Sequence, residues 1–224
     1  MLKTTADRPL ATTITGSLPR PLWFTENLRG RDFEVAIAGD LVYREQYIDA
    51  VTALIADQTR AGIDVVSDGE MRFDIDIGGR DWFGYMFDRL DGLKPGGMRP
   101  GGTEWASRSG EARRTDTPGD ILHEVMQARM PPLMTGPVGC GCLHYPSVWK
   151  TAQQLTDKPV KMGSCSAQMV DKLVINKFYK DRRESVMALS AAMNEEHHRL
   201  ADAGCRIIQV EEPCFHFIAG AAWE

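Results

Sequence analysis

The sequence predicts an α/β protein of the (β/α)8 TIM-barrel type, of which this chain would carry about the first five strands. Two observations support this. Short β-branched runs alternate with longer helical ones, the wiring of a parallel sheet with crossover helices. And "RAGIDVVSDGE" (60–70) and "DAGCRIIQVEE" (202–212) overlay without a gap. In each, a glycine (Gly62 or Gly204) suits the left-handed position just past a helix, and the strand that follows ends on acid. An open doubly wound sheet has the same alternation but binds at a strand-order switch, often through a Gly-rich phosphate turn. No G-x-G-x-x-G or P-loop sequence follows any strand here. In a barrel, residues from several strand ends converge on one mouth, which Ser17, Glu70, Cys140, Cys165 and Glu211 would do.

The elements follow in order. "ATTITGS" (11–17) is β-branched and stops at Gly16-Ser17-Leu18-Pro19, so it reads as a first strand with a turn at its end. Asp40 can cap a helix to about residue 61, because Tyr43, Tyr47, Ala50, Val51, Leu54 and Ile55 fall on one helical face. Residues 64–67 form strand two. From 71 to 130 the periodicity fades, and "KPGGMRPGGTEW" is dense in turn formers, marking a long loop or hairpin excursion within a single domain spanning 1–224. "PPLMTGPVG" reads as a third strand, "PSVWKTAQQLTDK" as a short helix with Pro146 in its first turn, and "PVKMGS" as a fourth strand. A helix over 181–203 places Val186, Leu189, Met193 and Leu200 on one side, and 206–210 is the fifth strand. The remaining strands of the barrel are expected beyond Glu224.

Composition excludes several function classes. With 224 residues and 43% hydrophobic content the chain can bury one sizeable core. A net charge of −5 leaves no basic footprint for nucleic acid or an anionic membrane. No apolar run approaches the ~20 residues of a membrane span, and the first ten residues lack a signal-peptide core, so a cytoplasmic location is expected. Five cysteines, an odd number, fit a reducing compartment.

Chemistry concentrates at predicted strand ends. Ile207, Ile208 and Val210 lead directly into Glu211 and Glu212, and an ionised carboxylate at the end of a buried strand needs a partner or a ligand. Cysteine and histidine offer a second, lower-ranked grouping: Cys140, Cys142 and His144 after strand three, Cys165 after strand four, Cys214 and His216 after strand five. Cys140, Cys142, Cys165, Cys214 and His216 are zinc-type ligands, but C-x-C-x-H is a weak spacing signature, and cysteines are often simply buried. Glu195, Glu196, His197 and His198, mid-helix, read as a solvent-facing charged run.

"TTITGSLPR", "GIDVVSDGE", "MPPLMTGPVG", "LTDKPVKM" and "GCRIIQVEEP" occur in the order and rough spacing of the C-terminal catalytic barrel of cobalamin-independent methionine synthase, and over nearly its whole length the chain resembles that family. The resemblance implies a zinc-dependent methyltransferase that moves a methyl group from methyltetrahydrofolate to the thiolate of homocysteine. Its partners would then be small molecules, a thiol amino acid and a methyl donor. It also implies that Gly16 and Ser17 hold the amino-acid substrate, together with Glu70 and with Glu211, which stands where the family has Asp. The family's zinc ligands come from its last three strands, which would lie beyond Glu224. Two further departures are visible. Cys165, Ser166 and Ala167 replace a Thr-Gly-Pro turn, and Leu173 stands near the position of a Trp that packs on folate, so folate is not expected to bind in the family's manner. An alkyltransferase for another thiol, such as coenzyme M, and a non-catalytic binding fragment are the alternatives.

Overall fold

Asp40 starts the first long helix, α1 (Leu41–Arg60), by accepting a hydrogen bond from the Tyr43 backbone N–H at 3.0 Å. The structure is a computed structural model, which describes residues 9–24, 37, 39–72, 84–94 and 131–212. The six apolar residues expected on one face of α1 are all buried, with Gln58 beside them. Gln58 is a polar rivet. Its amide nitrogen donates to Ser67 O and its amide oxygen accepts from Ser67 N, both at 2.9 Å, joining the last turn of α1 to the segment after strand two. The helix ends as the sequence implied, with Gly62 at φ +82° and Ile63 N donating back to Gln58 O.

The parallel strands lie beside one another in chain order. Thr13 bridges Val65, Val66 bridges Val160, and the strand following Val160 (Met162–Cys165) pairs in parallel with the strand Ile208–Glu211, in the register Met162 to Ile208 through Cys165 to Glu211. The architecture is mixed α/β, and the repeated helix-glycine-strand unit is real, since Gly204 sits at φ +107° after the second long helix.

One expected strand is misplaced by the sequence reading. "PPLMTGPVG" does form a strand, Leu133–Gly139, but it does not stand between strand two and the strand at 162. In chain order the strands are β1 (Asp91–Lys94), β2 (Leu133–Gly139), β3 (Met162–Cys165), β4 (Ile175–Asn176) and β5 (Ile208–Glu211). β2 pairs antiparallel with β1 and parallel with β4, in a separate sheet. The reason is visible in its residues. Met134 is buried while Leu133, Thr135 and Pro137 are exposed, the alternation of a one-sided sheet rather than of a barrel strand covered on both faces. At Gly92 the two backbones approach so closely that a Cβ would stand 2.5 Å from Pro137 O. Of the predicted 71–130 excursion, only β1, the short helix α2 (Gly84–Phe87) and a few neighbouring residues lie within the described part.

Three helices follow: α3 (Tyr145–Gln153), the short α4 (Ala167–Lys172) and α5 (Arg182–Asp202). α4 had no counterpart in the sequence reading. It is capped by Ser166, whose hydroxyl accepts from Met169 N at 3.1 Å. It is pinned to α5 because Asp171 receives both Arg182 Nε at 2.9 Å and the Ser185 hydroxyl at 2.5 Å. The charged run on α5 also corrects an expectation. Glu196 is buried and accepts from Tyr145 N at 2.7 Å, while half-buried His197 lies 3.0 Å from the Ser164 hydroxyl. Helical geometry explains this, since 189, 193, 196 and 200 form one stripe, so Glu196 shares the inward face of Leu189, Met193 and Leu200. Among the described residues no helix is long and apolar enough to cross a membrane.

Leu189 is fully buried in this stripe, so Leu189→Ala should cost about 2–5 kcal/mol in urea unfolding. Asp181→Ala, which removes the side chain accepting from Glu184 N at the start of α5, should cost only about 1 kcal/mol. Equal losses would contradict this packing.

Candidate substrate site at the strand ends

After strand two the chain turns sharply through two successive left-handed residues, Gly69 (φ +66°) and Glu70 (φ +58°). A glycine is required at 69, where a Cβ would lie 2.5 Å from Leu54 Cδ1. A left-handed glutamate is costly, on the order of 1–2 kcal/mol, and persists only where its surroundings hold it. Here they do. Leu18 N donates to Gly69 O at 3.1 Å, Glu70 N donates to Asp68 Oδ1 at 3.0 Å, and Arg20 Nη2 donates to Glu70 O at 2.7 Å. The side chain then points at the first strand end, where the Ser17 hydroxyl donates to Glu70 Oε2 at 2.6 Å. Gly16, at φ +80° with open space around it, shapes the turn that carries Ser17.

From the other side the strands β3 and β5 present alternate residues to the same region. Lys161, Gly163 and Cys165 alternate along one strand, and Gln209 and Glu211 along its partner. Lys161 Nζ donates to Gln209 Oε1 at 2.5 Å and to Ile14 O, and Gln209 Nε2 donates to Glu211 Oε1 at 2.6 Å. Glu70 and Glu211 are close enough that each acts on the same neighbours. Burial pushes the Glu70 carboxyl above its ordinary range, against the pull of Arg72 and Ser17, and Glu211 adds to the push. Lys161 is lowered by burial while both glutamates resist. The Cys165 thiol is held protonated first by burial and then by Glu211 and Glu70. Glu212 turns to the Ser166 hydroxyl, which donates to its Oε2. The gap-free overlay of the two repeats sets Glu70 against Glu212, yet the left-handed turn swings Glu70 toward Glu211 instead.

The cysteines separate. Cys142 lies 3.8 Å from Arg89 O, and Cys140, a neighbour of Arg199 and Glu195 on α5, belongs to that helix rather than to the carboxylates around Cys165. This follows from the placement of β2 outside the parallel series. Among the described residues no three His, Cys, Asp or Glu side chains gather as a metal ion would need. Cys214 and His216 lie outside the described residues. Zinc therefore finds no fitting donor set among the described residues.

Arg72, Lys161, Gln209 and Gly163 were missed by sequence reasoning. For Lys161 and Gln209 a signal existed: a lone Lys in "PVKMGS" and a lone Gln in "IIQVEE" break otherwise apolar strands at the two-residue period that points to one face.

Residues 112–221 match the family model described as "Cobalamin-independent synthase, Catalytic domain". Over that stretch the chain is similar to cobalamin-independent methionine synthases. It is 28% identical over 208 residues to the methionine synthase of Saccharolobus solfataricus, covering 92% of this chain and 54% of that protein. To the methionine synthase of Sulfolobus acidocaldarius it is 29% identical over 208 residues, covering 92% and 52%. The chain thus spans about half the length of these relatives. Its fold is similar to that of a B12-independent methionine synthase from Shewanella sp. W3-18-1 solved in complex with selenomethionine, with a TM-score of 0.64, 24% identity and coverage of 92% of this chain and 52% of that one. A putative vitamin-B12-independent methionine synthase from Listeria monocytogenes gives a TM-score of 0.61 at 14% identity, covering 96% and 56%.

The raised Glu70 carboxyl has a sign that can be checked. A carboxyl whose folded pKa lies above its unfolded one contributes most at low pH and is lost as pH rises through the folded value, because ionisation is harder in the fold. Glu70→Gln should therefore gain stability relative to the parent as pH rises from about 4.5 to 7, measured by thermal melts across that range. A difference that is flat with pH would mean Glu70 ionises freely.

Proposed function

We propose that this chain forms the amino-acid-holding part of a (β/α)8 methyltransferase of the cobalamin-independent methionine synthase type, which transfers a methyl group from methyltetrahydrofolate to the thiolate of homocysteine and yields methionine. The observation that carries this reading is the meeting of Ser17 and Glu70 at neighbouring parallel strand ends, with Glu211 near enough to act on Glu70. A carboxylate pair suits the α-ammonium of an amino acid through charge-assisted hydrogen bonds, and the hydroxyl and turn amides at Gly16 and Ser17 suit its α-carboxylate. The barrel reading is supported by strands 13, 65–66, 160–165 and 207–211 lying side by side in chain order, with no reversal of the kind that marks a doubly wound sheet.

In this reading the chain's own residues bind and orient. Glu211, tethered by Gln209, and Glu70, held by its turn and Ser17, receive the ammonium. Lys161 keeps the two like charges from repelling each other when the pocket is empty. The described residues position only the amino-acid end, and none of them would hold a zinc ion that favours the thiolate form of the substrate's thiol. On the donor side, Leu173 is buried in the core and offers no aromatic face, so methyltetrahydrofolate would be held through other contacts than a stacked Trp. The named relatives favour homocysteine over another thiol as acceptor.

Isothermal titration with L-methionine and L-homocysteine should show binding that Glu211→Gln weakens by about tenfold or more, roughly one charge-assisted hydrogen bond. The des-amino analogues should not bind. Equal affinity for amino and des-amino ligands would overturn the assignment of the carboxylates.

A further inference from the structure

Glu70 is the most constrained side chain of this site, and its constraints lead to two residues that touch no substrate in the reading above. Arg72 is fully buried and uses its guanidinium as a fork. Nη1 donates to Asp68 Oδ2 at 2.7 Å and Nη2 to Gly163 O at 3.0 Å. The other oxygen of Asp68, Oδ1, accepts from Glu70 N at 3.0 Å. One carboxylate thus joins the left-handed turn to the arginine, and the arginine joins both to β3. The tyrosines Tyr85 and Tyr145, their rings near parallel at 17°, flank the fork, with the guanidinium carbon 5.6 and 5.8 Å from the ring centres. Gly163 contributes a second constraint. A Cβ there would stand 3.0 Å from Glu70 Oε1, tighter than ordinary contact, so the missing side chain is the space in which the carboxylate lies.

We propose that Arg72 and Gly163 are positioning residues for the Glu70 carboxylate: Arg72 locks the turn that presents it to β3, and Gly163 leaves the slot it occupies, which together set how far a ligand's ammonium stands from the strand end. This rests on the reading of Glu70 as an ammonium acceptor. It goes further in making the backbone of β3, and not only the acidic side chains, part of the recognition of an α-amino acid. Arginine is needed at 72 because lysine offers a point charge and cannot span Asp68 and a backbone carbonyl in fixed geometry.

The test uses the whole chain with 13C-labelled glutamate, the Glu70 carboxyl signal being assigned by its loss in Glu70→Gln. Two quantities are read: the titration midpoint of that signal, and the Kd for L-methionine. Gly163→Ala, folded by circular dichroism, should move the midpoint upward, because the displaced carboxylate loses its Ser17 bond, and should weaken L-methionine by about tenfold. Arg72→Lys should keep the midpoint near the parent's, since the charge remains, yet lose affinity to a similar degree; Arg72→Met should raise the midpoint. If Arg72→Met does not fold, Gly163→Ala and Arg72→Lys decide. A Gly163→Ala protein with the parent's midpoint and Kd overturns the proposal, as does an Arg72→Lys protein with undiminished affinity. If the parent itself binds no L-methionine, the substrate reading fails, while the midpoints still report whether Arg72 and Gly163 position Glu70.

Discussion

The Asp68–Arg72 ion pair is the interaction on which the strand-end geometry depends. Both side chains are almost entirely out of solvent, and desolvating two charges costs several kcal/mol per ion, so the pair itself contributes little net stability. Removing one partner is another matter. It leaves a buried charge uncompensated, at about 3–5 kcal/mol. Burial alone would pull the Arg72 pKa down, but Asp68 and Glu70 raise it instead, so the cation persists at every accessible pH. A fixed charge of this kind specifies geometry more than it supplies energy. It selects the one arrangement in which the turn after strand two, the β3 backbone and the two tyrosine rings all meet.

From that arrangement the rest of the site follows through backbone rather than side-chain freedom. The Gly69–Glu70 turn is strained, and its strain is held by Leu18 and Arg20 of the first strand's turn, which donate to Gly69 O and Glu70 O, and by Asp68 within the turn, which accepts from Glu70 N. On the opposite strands, parallel register does the equivalent work. Pairing Cys165 with Glu211 puts Gln209 one step down the same face, beside Lys161. A slip by one residue would turn all of these to the helix-covered side.

Much of this was legible in the sequence, and the failures share a cause. α1 and its buried face, the cap Asp40, the left-handed glycines 62 and 204, the helix beginning at 181, and the parallel strands at 64–67, 159–164 and 206–210 could be read because local pattern and tertiary role agree there. β2 was assigned to the wrong sheet because its strand propensity says nothing about its partner. Glu196 was read as solvent-facing because charge was given more weight than phase, yet the stripe of Leu189, Met193 and Leu200 already placed 196 inward. Arg72 was missed for a deeper reason. Its role arises from Asp68, Gly163, Tyr85 and Tyr145 together, and no spacing in the chain encodes that meeting.

The charge balance of the pocket gives the last step. Among the groups that line it, Asp68 and Arg72 cancel, and Lys161 faces two carboxylates, Glu70 and Glu211. The imbalance is one negative charge, and burial opposes the ionisation of Glu70. A ligand bringing one ammonium removes the imbalance and favours ionised Glu70; a ligand bringing a second anion worsens it. Cys165, in the midst of these groups, cannot relieve it, because ionising the thiol would add a further negative charge in a buried position. The thiol fills space beneath the carboxylate pair, and the negative charge left in the pocket is of the kind an ammonium group would complement.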